Sequence, residues 1–203
     1  ISGGSGNTII AGLPGQGNGK GNVKIYDWNG SSWVQRSNPP LSASTSGARY
    51  GSAVSISDNG IRVAIGSPDN VGSLGKIGMV EFYDWTASTD QWVVRGAAPL
   101  TGIGGDAKFG TSISFNSDGS MVAIGAPDSS GATAGETKIY EWDASTSSLW
   151  QLMGIAIKGE TIGDQSGTSV SLNSDGSIVA IGSPRNDGGG VGVDAGQARV
   201  YYF

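Results

Sequence analysis

The 203-residue sequence contains no cysteine and no histidine. Without thiols the chain forms no disulfide and offers no thiolate nucleophile. Without imidazole it builds neither a Ser-His-Asp triad nor a His/Cys zinc site. The missing cysteine leaves the redox compartment open. Charge is scarce as well: Asp, Glu, Lys and Arg make up 14% of residues, with a net charge of −5 and a pI near 4.5. Nucleic-acid phosphates need a basic face, and no Lys/Arg cluster interrupts this acidic background. No run approaches the ~18 consecutive apolar residues of a membrane-spanning helix. The sequence begins at Ile1 rather than Met, which leads to the expectation of a processed precursor or a segment of one.

What the chain does have is glycine, 36 residues of it, with Ser and Thr throughout and six Trp. This describes short strands and tight turns, not disorder, because the apolar residues recur in phase. The phase is a repeat. FGTSISF at 109–115, MVAIGAP at 121–127 and IYEW at 139–142 return as YGSAVSI at 50–56, VAIGSP at 63–68 and FYDW at 82–85. They return again as SGTSVSL at 166–172, VAIGSP at 179–184 and VYYF at 200–203. A partial first copy keeps IIAGLP at 9–14 and IYDW at 25–28. Trp28, Trp85 and Trp142 recur at intervals of 57 residues. A fixed period of this size marks a repeat architecture, divided here into 1–49 (partial), 50–108, 109–165 and 166–203 (partial) within one continuous unit.

Within a repeat, Val54 and Ile56, Ile113 and Phe115, and Val170 and Leu172 alternate with small polar residues, the period-two signature of a strand. The turns at Asn59-Gly60, Asp118-Gly119 and Asp175-Gly176 supply positive φ, predicting that strands one and two are antiparallel neighbours. In strand two, Val63, Ile65, Val122, Ile124, Val179 and Ile181 are expected to be buried between sheets, together with the first-strand pairs. Ala and Gly on the opposite face let a neighbouring sheet approach closely. Pro14, Pro68, Pro127 and Pro184 lack a backbone donor and end the pairing. A third strand reaches Trp28, Trp85 or Trp142, and a fourth begins at Trp33, Trp92 or Trp150, so cross-strand Trp pairs are expected. The count is three, four, four and three strands. Four-stranded antiparallel blades at a ~57-residue period predict an all-β chain with the β-propeller fold; a sandwich is the alternative.

Phe109-Gly110 at the head of strand one, with Gly125-Ala126-Pro127 at the end of strand two, resembles the FG-GAP repeat of integrin-α-type propellers and of secreted microbial and algal repeat proteins. Tyr50-Gly51 with Gly66-Ser67-Pro68 and Ser166-Gly167 with Gly182-Ser183-Pro184 match more loosely, and the first copy keeps only Ala11-Gly12-Leu13-Pro14. The resemblance implies a propeller, seven-bladed in the integrin-like family, with calcium in the turn between strands one and two. Here those turns retain one Asp each, Asp118 and Asp175, where calcium wants 6–8 oxygens. They are expected to be plain hairpin turns, with no cofactor.

Other candidates divide between function and structure. The Gly-rich run 15–21 fails as a phosphate loop, because Pro14 stands at the first required Gly and Gly21 at the metal-binding Ser or Thr. Asp27, Asp84 and Glu141 share one strand position, and carboxylate pairs drive glycoside hydrolysis. Repeat symmetry sets these three apart, so a solvated outer face is expected. Asp69, Asp128 and Asp187 follow the proline, and Asp106 and Asp164 precede the next first strand; loops at such edges carry function or simply cap turns. The loop 187–194 is the preferred place for an ion or partner, with Asp187 and Asp194 the candidate metal ligands. Asn29-Gly30-Ser31 is an N-glycosylation sequon on an exposed turn.

These features predict a non-catalytic, extracellular or extracytoplasmic module for recognition or adhesion of a protein or glycan, with a structural subunit of a larger assembly as the alternative. A carbohydrate-active enzyme working through Asp residues is the third reading, disfavoured because no repeat is broken by an inserted acid–base pair. No catalytic residue is assigned. Three and a half blades leave edges open, so a second copy or the remainder of a precursor is expected to complete the sheets, through 8–12 and 198–203.

Overall fold

The structure is a computed structural model that describes residues 6–72, 75–104, 107–128, 131–145, 149–188 and 193–203. Four antiparallel sheets follow one another along the chain. The first holds β1 (Thr8–Leu13), β2 (Asn22–Trp28) and β3 (Trp33–Ser42). The second orders β4 (Ala53–Ile56), β5 (Arg62–Ser67), β6 (Met79–Thr86) and β7 (Gln91–Val94), with β8 (Leu100–Thr101) also on β6. The third repeats this with β9 (Ser112–Phe115), β10 (Met121–Ala126), β11 (Glu136–Asp143), β12 (Leu149–Leu152) and β13 (Ile157–Lys158) on β11. The last holds β14 (Ser169–Leu172), β15 (Ile178–Ser183) and β16 (Gln197–Tyr202).

The expected hairpins pair in matching registers: Val54 opposite Ile65, Ile113 opposite Ile124, Val170 opposite Ile181. The fourth lane differs from expectation. In the two middle sheets it is broken into two segments, β7 with β8 and β12 with β13. In the first sheet β3 runs the whole lane, with a register shift opposite Val23 and Ile25. Trp28 faces Trp33, Trp85 faces Trp92 and Trp142 faces Trp150, with ring centroids 5.5, 5.2 and 5.4 Å apart. The Trp pairs are cross-strand, as expected.

An apolar cluster fills each junction between consecutive sheets. Val23 and Ile25 meet Tyr50, Val63 and Ile65; Val80 and Phe82 meet Phe115, Val122, Ile124 and Trp150; Ala123 and Ile139 meet Leu172, Val179 and Ile181. The six predicted strand-two residues are all buried. Of the first-strand pairs, only Phe115 and Leu172 are buried; Val54, Ile56, Ile113 and Val170 are half-buried. They lie on the inner strands, at the edge of the sheets, packed against the junction clusters.

Close approach rests on glycine. A Cβ on Gly12, Gly66 or Gly125 would lie 1.9, 2.2 or 1.9 Å from the carbonyl oxygen of Gly51, Gly110 or Gly167 in the following repeat. Serine then ties inner strand to inner strand: Ser55 Oγ accepts the N–H of Phe115, and Ser114 Oγ that of Leu172, both at 3.0 Å.

Outer strands are tied by arginine, which corrects the expected solvated row of carboxylates. Arg36 Nε donates to Asp27 at 2.6 Å and its guanidinium lies 5.2 Å from the Trp85 ring centre of the next sheet. Arg95 repeats this, donating to Asp84 at 2.9 Å and stacking 4.2 Å from Trp142. Both arginines are largely buried while their carboxylates are half-exposed. Burial pulls the Arg95 pKa down and Asp84 opposes it. Cation–π contact with desolvated guanidinium is the stronger part of this clamp, since a half-exposed ion pair contributes little. Glu141 alone of the three carboxylates is exposed as expected.

Candidate functional site

At one end of the sheets the inner strands begin and the second strands end, and the repeat builds the same corner three times. Arg49, Lys108 and Gln165 sit just before the inner strands with φ of 57°, 56° and 55°. This left-handed backbone disfavours any residue but Gly, and each corner holds it with two bonds. The hydroxyls of Ser52, Thr111 and Thr168 each donate at 2.7 Å to the carbonyl three residues earlier. Their own N–H groups donate to those same carbonyls at 3.1, 3.1 and 3.2 Å.

The second strand delivers Asp69 to the same place. After β5, Pro68 and Asp69 occupy the middle of a turn closed by Asn70 N–H on the Ser67 carbonyl at 3.0 Å, with proline where its φ suits the turn. The Asp69 side chain is 13% exposed and hydrogen-bonds the Lys108 ammonium of the next repeat. Arg49 Nε and Lys76 Nζ each lie 3.9 Å from it. An open groove of about 420 Å³ runs across three repeats here, with Arg49, Asp69, Lys108, Thr111, Gln165 and Thr168 among its lining. Three cations around one carboxylate leave a positive surplus in an otherwise acidic protein. Such a corner suits an anionic or strongly polarised oxygen.

Directly after Arg49, Tyr50 turns into the core and is fully buried, which raises its phenol pKa far above normal. Tyr83 and Glu81 interact with it there. Tyr83 donates to Glu81 at 3.4 Å, and burial pushes the Glu81 carboxyl above its usual range.

A second cavity of about 290 Å³ lies at the junction of Ala126, Asp128, Gly135 and Lys158. Its lining is mostly alanine and glycine with Ile103, and the Glu136 in it is paired to Lys138 at 2.8 Å. Its lining also holds Asp128 and Lys158, but the groove gathers three cations around Asp69 and is the stronger candidate.

The remaining predicted residues are dispersed. Asp128 is buried in that cavity, its N–H on the Ala107 carbonyl at 3.2 Å. Asp164 is buried and accepts N–H groups of Glu160 and Thr161 and the Asn186 amide at 2.9–3.0 Å. Although burial opposes it, these bonds and the Thr161 hydroxyl hold its carboxyl below the usual range. Asp164 is a loop cap. Asp106 and the centre of the 187–194 loop lie outside the described residues. Asp187 and Asp194 are exposed, and Asp187 accepts the Asp194 N–H at 3.0 Å, closing the base of that loop. Asn29 is exposed, its side-chain oxygen accepting the N–H groups of Ser31 and Ser32 at 3.0 and 2.9 Å.

Among the described residues no group of three or more Asp, Glu, His or Cys converges to hold a metal. At the hairpin turns Asp118 accepts the Ser120 N–H at 2.8 Å, and Asp175 accepts that of Ser177 at 2.9 Å. These carboxylates close their own turns. Chelation of calcium is therefore expected to leave the melting temperature unchanged, measured by circular dichroism with and without EGTA. A drop of many degrees would show that the turns bind the ion.

Arg49, Lys108 and Gln165 were not among the residues that sequence reasoning singled out. The available signal was a polar residue recurring immediately before each aromatic-Gly or Ser-Gly pair.

No family model and no curated protein matches the chain. Solved structures do. A periplasmic gluconolactonase of Pseudomonas aeruginosa aligns over 97% of this chain and 50% of its own, at 12% identity and a TM-score of 0.54. The fold is a β-propeller. A candidate 6-phosphogluconolactonase of Bacteroides uniformis (12% identity, TM-score 0.49) and a thermostable family-43 glycoside hydrolase (10%, 0.49) align over 97% and 92% of this chain. The chain spans 50%, 64% and 65% of the length of these three propellers. At such identity the likeness shows the fold alone.

The gluconolactonase of the same fold corrects the expectation of a non-catalytic recognition or adhesion module. That expectation rested on acidic, loop-rich chemistry without His or Cys, and the exclusion of an enzyme on the absence of a repeat broken by an inserted acid–base pair. The solved propeller that aligns at a TM-score of 0.54 is named as a periplasmic gluconolactonase. An unbroken repeat gathers charged side chains from equivalent corners without any insertion, as Arg49 and Lys108 do around Asp69. Among the described residues no helix is long and apolar enough to cross a membrane.

Proposed function

We propose that the groove at the head of the inner strands is a hydrolytic site for a sugar-derived lactone. The observation that carries this reading is Asp69 bonded to Lys108, with Arg49 beside them, on a rim of Thr111, Gln165 and Thr168. The Pseudomonas gluconolactonase of the same fold supplies the substrate class. Opening a lactone ring needs a water activated at the carbonyl carbon and a positive environment for the oxyanion that forms. In the proposed reaction Asp69 takes a proton from the attacking water as its oxygen bonds to carbon. Lys108 and Arg49 face the oxyanion. The ring C–O bond then breaks, the proton returns to the leaving ring oxygen, and a hydroxy acid departs. Gln165 and the rim hydroxyls meet the sugar hydroxyls.

The test is hydrolysis of glucono-δ-lactone followed by pH-stat. Lys108→Ala is expected to lower kcat/KM by roughly 10²–10³-fold, the loss on removing an oxyanion partner. Asp69→Asn is expected to lower kcat by roughly 10²–10⁴-fold. Glu141→Gln, which alters an exposed carboxylate on β11 outside the groove, serves as control. Equal rates for all variants and wild type would reject the site.

We also take the repeats as FG-GAP-like, supported by buried Phe109 and by Gly110 seated on Gly66. The protein works outside the cytoplasm in this reading, in keeping with the periplasmic gluconolactonase that shares its fold.

A further inference from the structure

Every inner junction has two matched faces, but among the described residues the first and last sheets each carry one face without a neighbour. On the last sheet this face holds Ala198, Val200 and Tyr202, all exposed, Val200 at 54% and Tyr202 at 77%. By register, Val200 stands opposite Ala180 as Phe82 does opposite Ala64 and Ile139 opposite Ala123, and both of those are buried under the next sheet. Gly182 keeps the bare Cα that admits a neighbouring backbone at Gly12, Gly66 and Gly125. The atoms nearest its absent Cβ belong only to Ser169 of its own sheet.

The first sheet shows the complementary defect. Ile9, Ala11 and Tyr26 stand on the face opposite the Ile10, Val23 and Ile25 that enter the first junction. Ala11 is exposed, where its counterpart Ile65 is fully buried. Trp28 and Trp33 are 41% and 42% exposed, whereas the two equivalent Trp pairs are covered by Arg36 and Arg95 of the preceding sheet.

We propose that a second copy of this chain covers both faces, the last sheet of each copy packing on the first sheet of the other. The lanes match. Tyr202 occupies the strand position of Asp27 and Asp84, whose arginines cover the Trp pair of the next sheet, so it is placed to cover Trp28 and Trp33 of the partner. Val200 and Ala198 meet Ala11 and Ile9. Among the described residues the first sheet has no lane inside β1 and the last has none outside β16. Length agrees, since this chain spans 50% of a solved propeller of the same fold. A head-to-tail contact used twice by two copies closes a ring, leaving no apolar sheet face in water. Such pairing does not depend on the groove being catalytic.

The test is the mass of the full chain by sedimentation equilibrium, with folding of each variant checked by circular dichroism. Wild type is expected at twice 20.5 kDa. Val200→Asp and Ala11→Asp change exposed residues on opposite faces, and each alone is expected to halve the mass. Mixing the two variants restores one intact contact and is expected to return a dimer. Val71→Asp, exposed elsewhere, is expected to stay dimeric. A monomeric wild type would overturn the proposal and point to a different polypeptide on these faces. A polymer larger than two copies, a dimer indifferent to Val200→Asp, or a mixture that stays monomeric would each overturn it too.

Discussion

Gly125→Ala is expected to destabilise the protein by about 3 kcal/mol or more, at the upper end of what overpacking costs. The added Cβ would lie 1.9 Å from the Gly167 carbonyl oxygen and 2.3 Å from Ser112 Oγ. Neither yields readily. Gly167 is fixed by its N–H on the Gly182 carbonyl at 3.1 Å, and Ser112 Oγ donates to the Gly167 carbonyl at 2.7 Å. Relief requires the third and last sheets to separate, which opens the cluster of Ala123, Ile139, Val179 and Ile181 to water. Gly15→Ala, where no atom lies within 4 Å of the new Cβ, is the control. Urea unfolding reads both. Equal midpoints for Gly125→Ala and wild type would show that the sheets do not meet through backbone.

Ile124→Ala is the second large effect, about 2–5 kcal/mol, because both the transfer term and the cavity term apply. Ile124 is fully buried in the cluster with Phe82, Val122 and Trp150. Residues from two sheets line the void, so it cannot close without shifting a junction. Ile155→Ala, at an 89% exposed site, is expected to change stability by less than about 0.5 kcal/mol. The pair separates burial at the junction from the loss of a methyl-rich side chain as such. A denaturation midpoint for Ile124→Ala close to that of Ile155→Ala would contradict the packing.

The parts of the fold legible in the sequence were those set by local spacing. Val122 and Ile124 alternate with Ala123 and Gly125, and Asp118-Gly119 turns the chain, so the hairpin and its buried face follow from adjacent residues. The Trp pairs follow likewise from two residues flanking one short turn. The clamps were not read, because Arg36 and Arg95 act on Trp side chains about one repeat further on. A signal existed: each arginine stands three residues after the Trp that opens the fourth strand, and Met153 breaks the pattern after Trp150. The groove escaped for a similar reason. Carboxylates were the candidates drawn from sequence, and of these only Asp69 reaches the groove; Asp128 and Asp164 are spent inside junctions and loops. The groove's cations hold left-handed corners whose geometry no composition argument reveals. The exclusion of an enzyme looked for an interrupted repeat, whereas equivalent corners at Arg49, Lys108 and Gln165 line one groove without interruption.

The decisive measurement is the rate at which glucono-δ-lactone opens with the wild-type chain present, set against buffer and against Asp69→Asn in the same pH-stat. A hydrolytic groove predicts a saturable rate above buffer with wild type, reduced by the roughly 10²–10⁴-fold of a lost general base in the variant. A wild-type rate no faster than buffer, at concentrations where the chain is folded and paired, would contradict it.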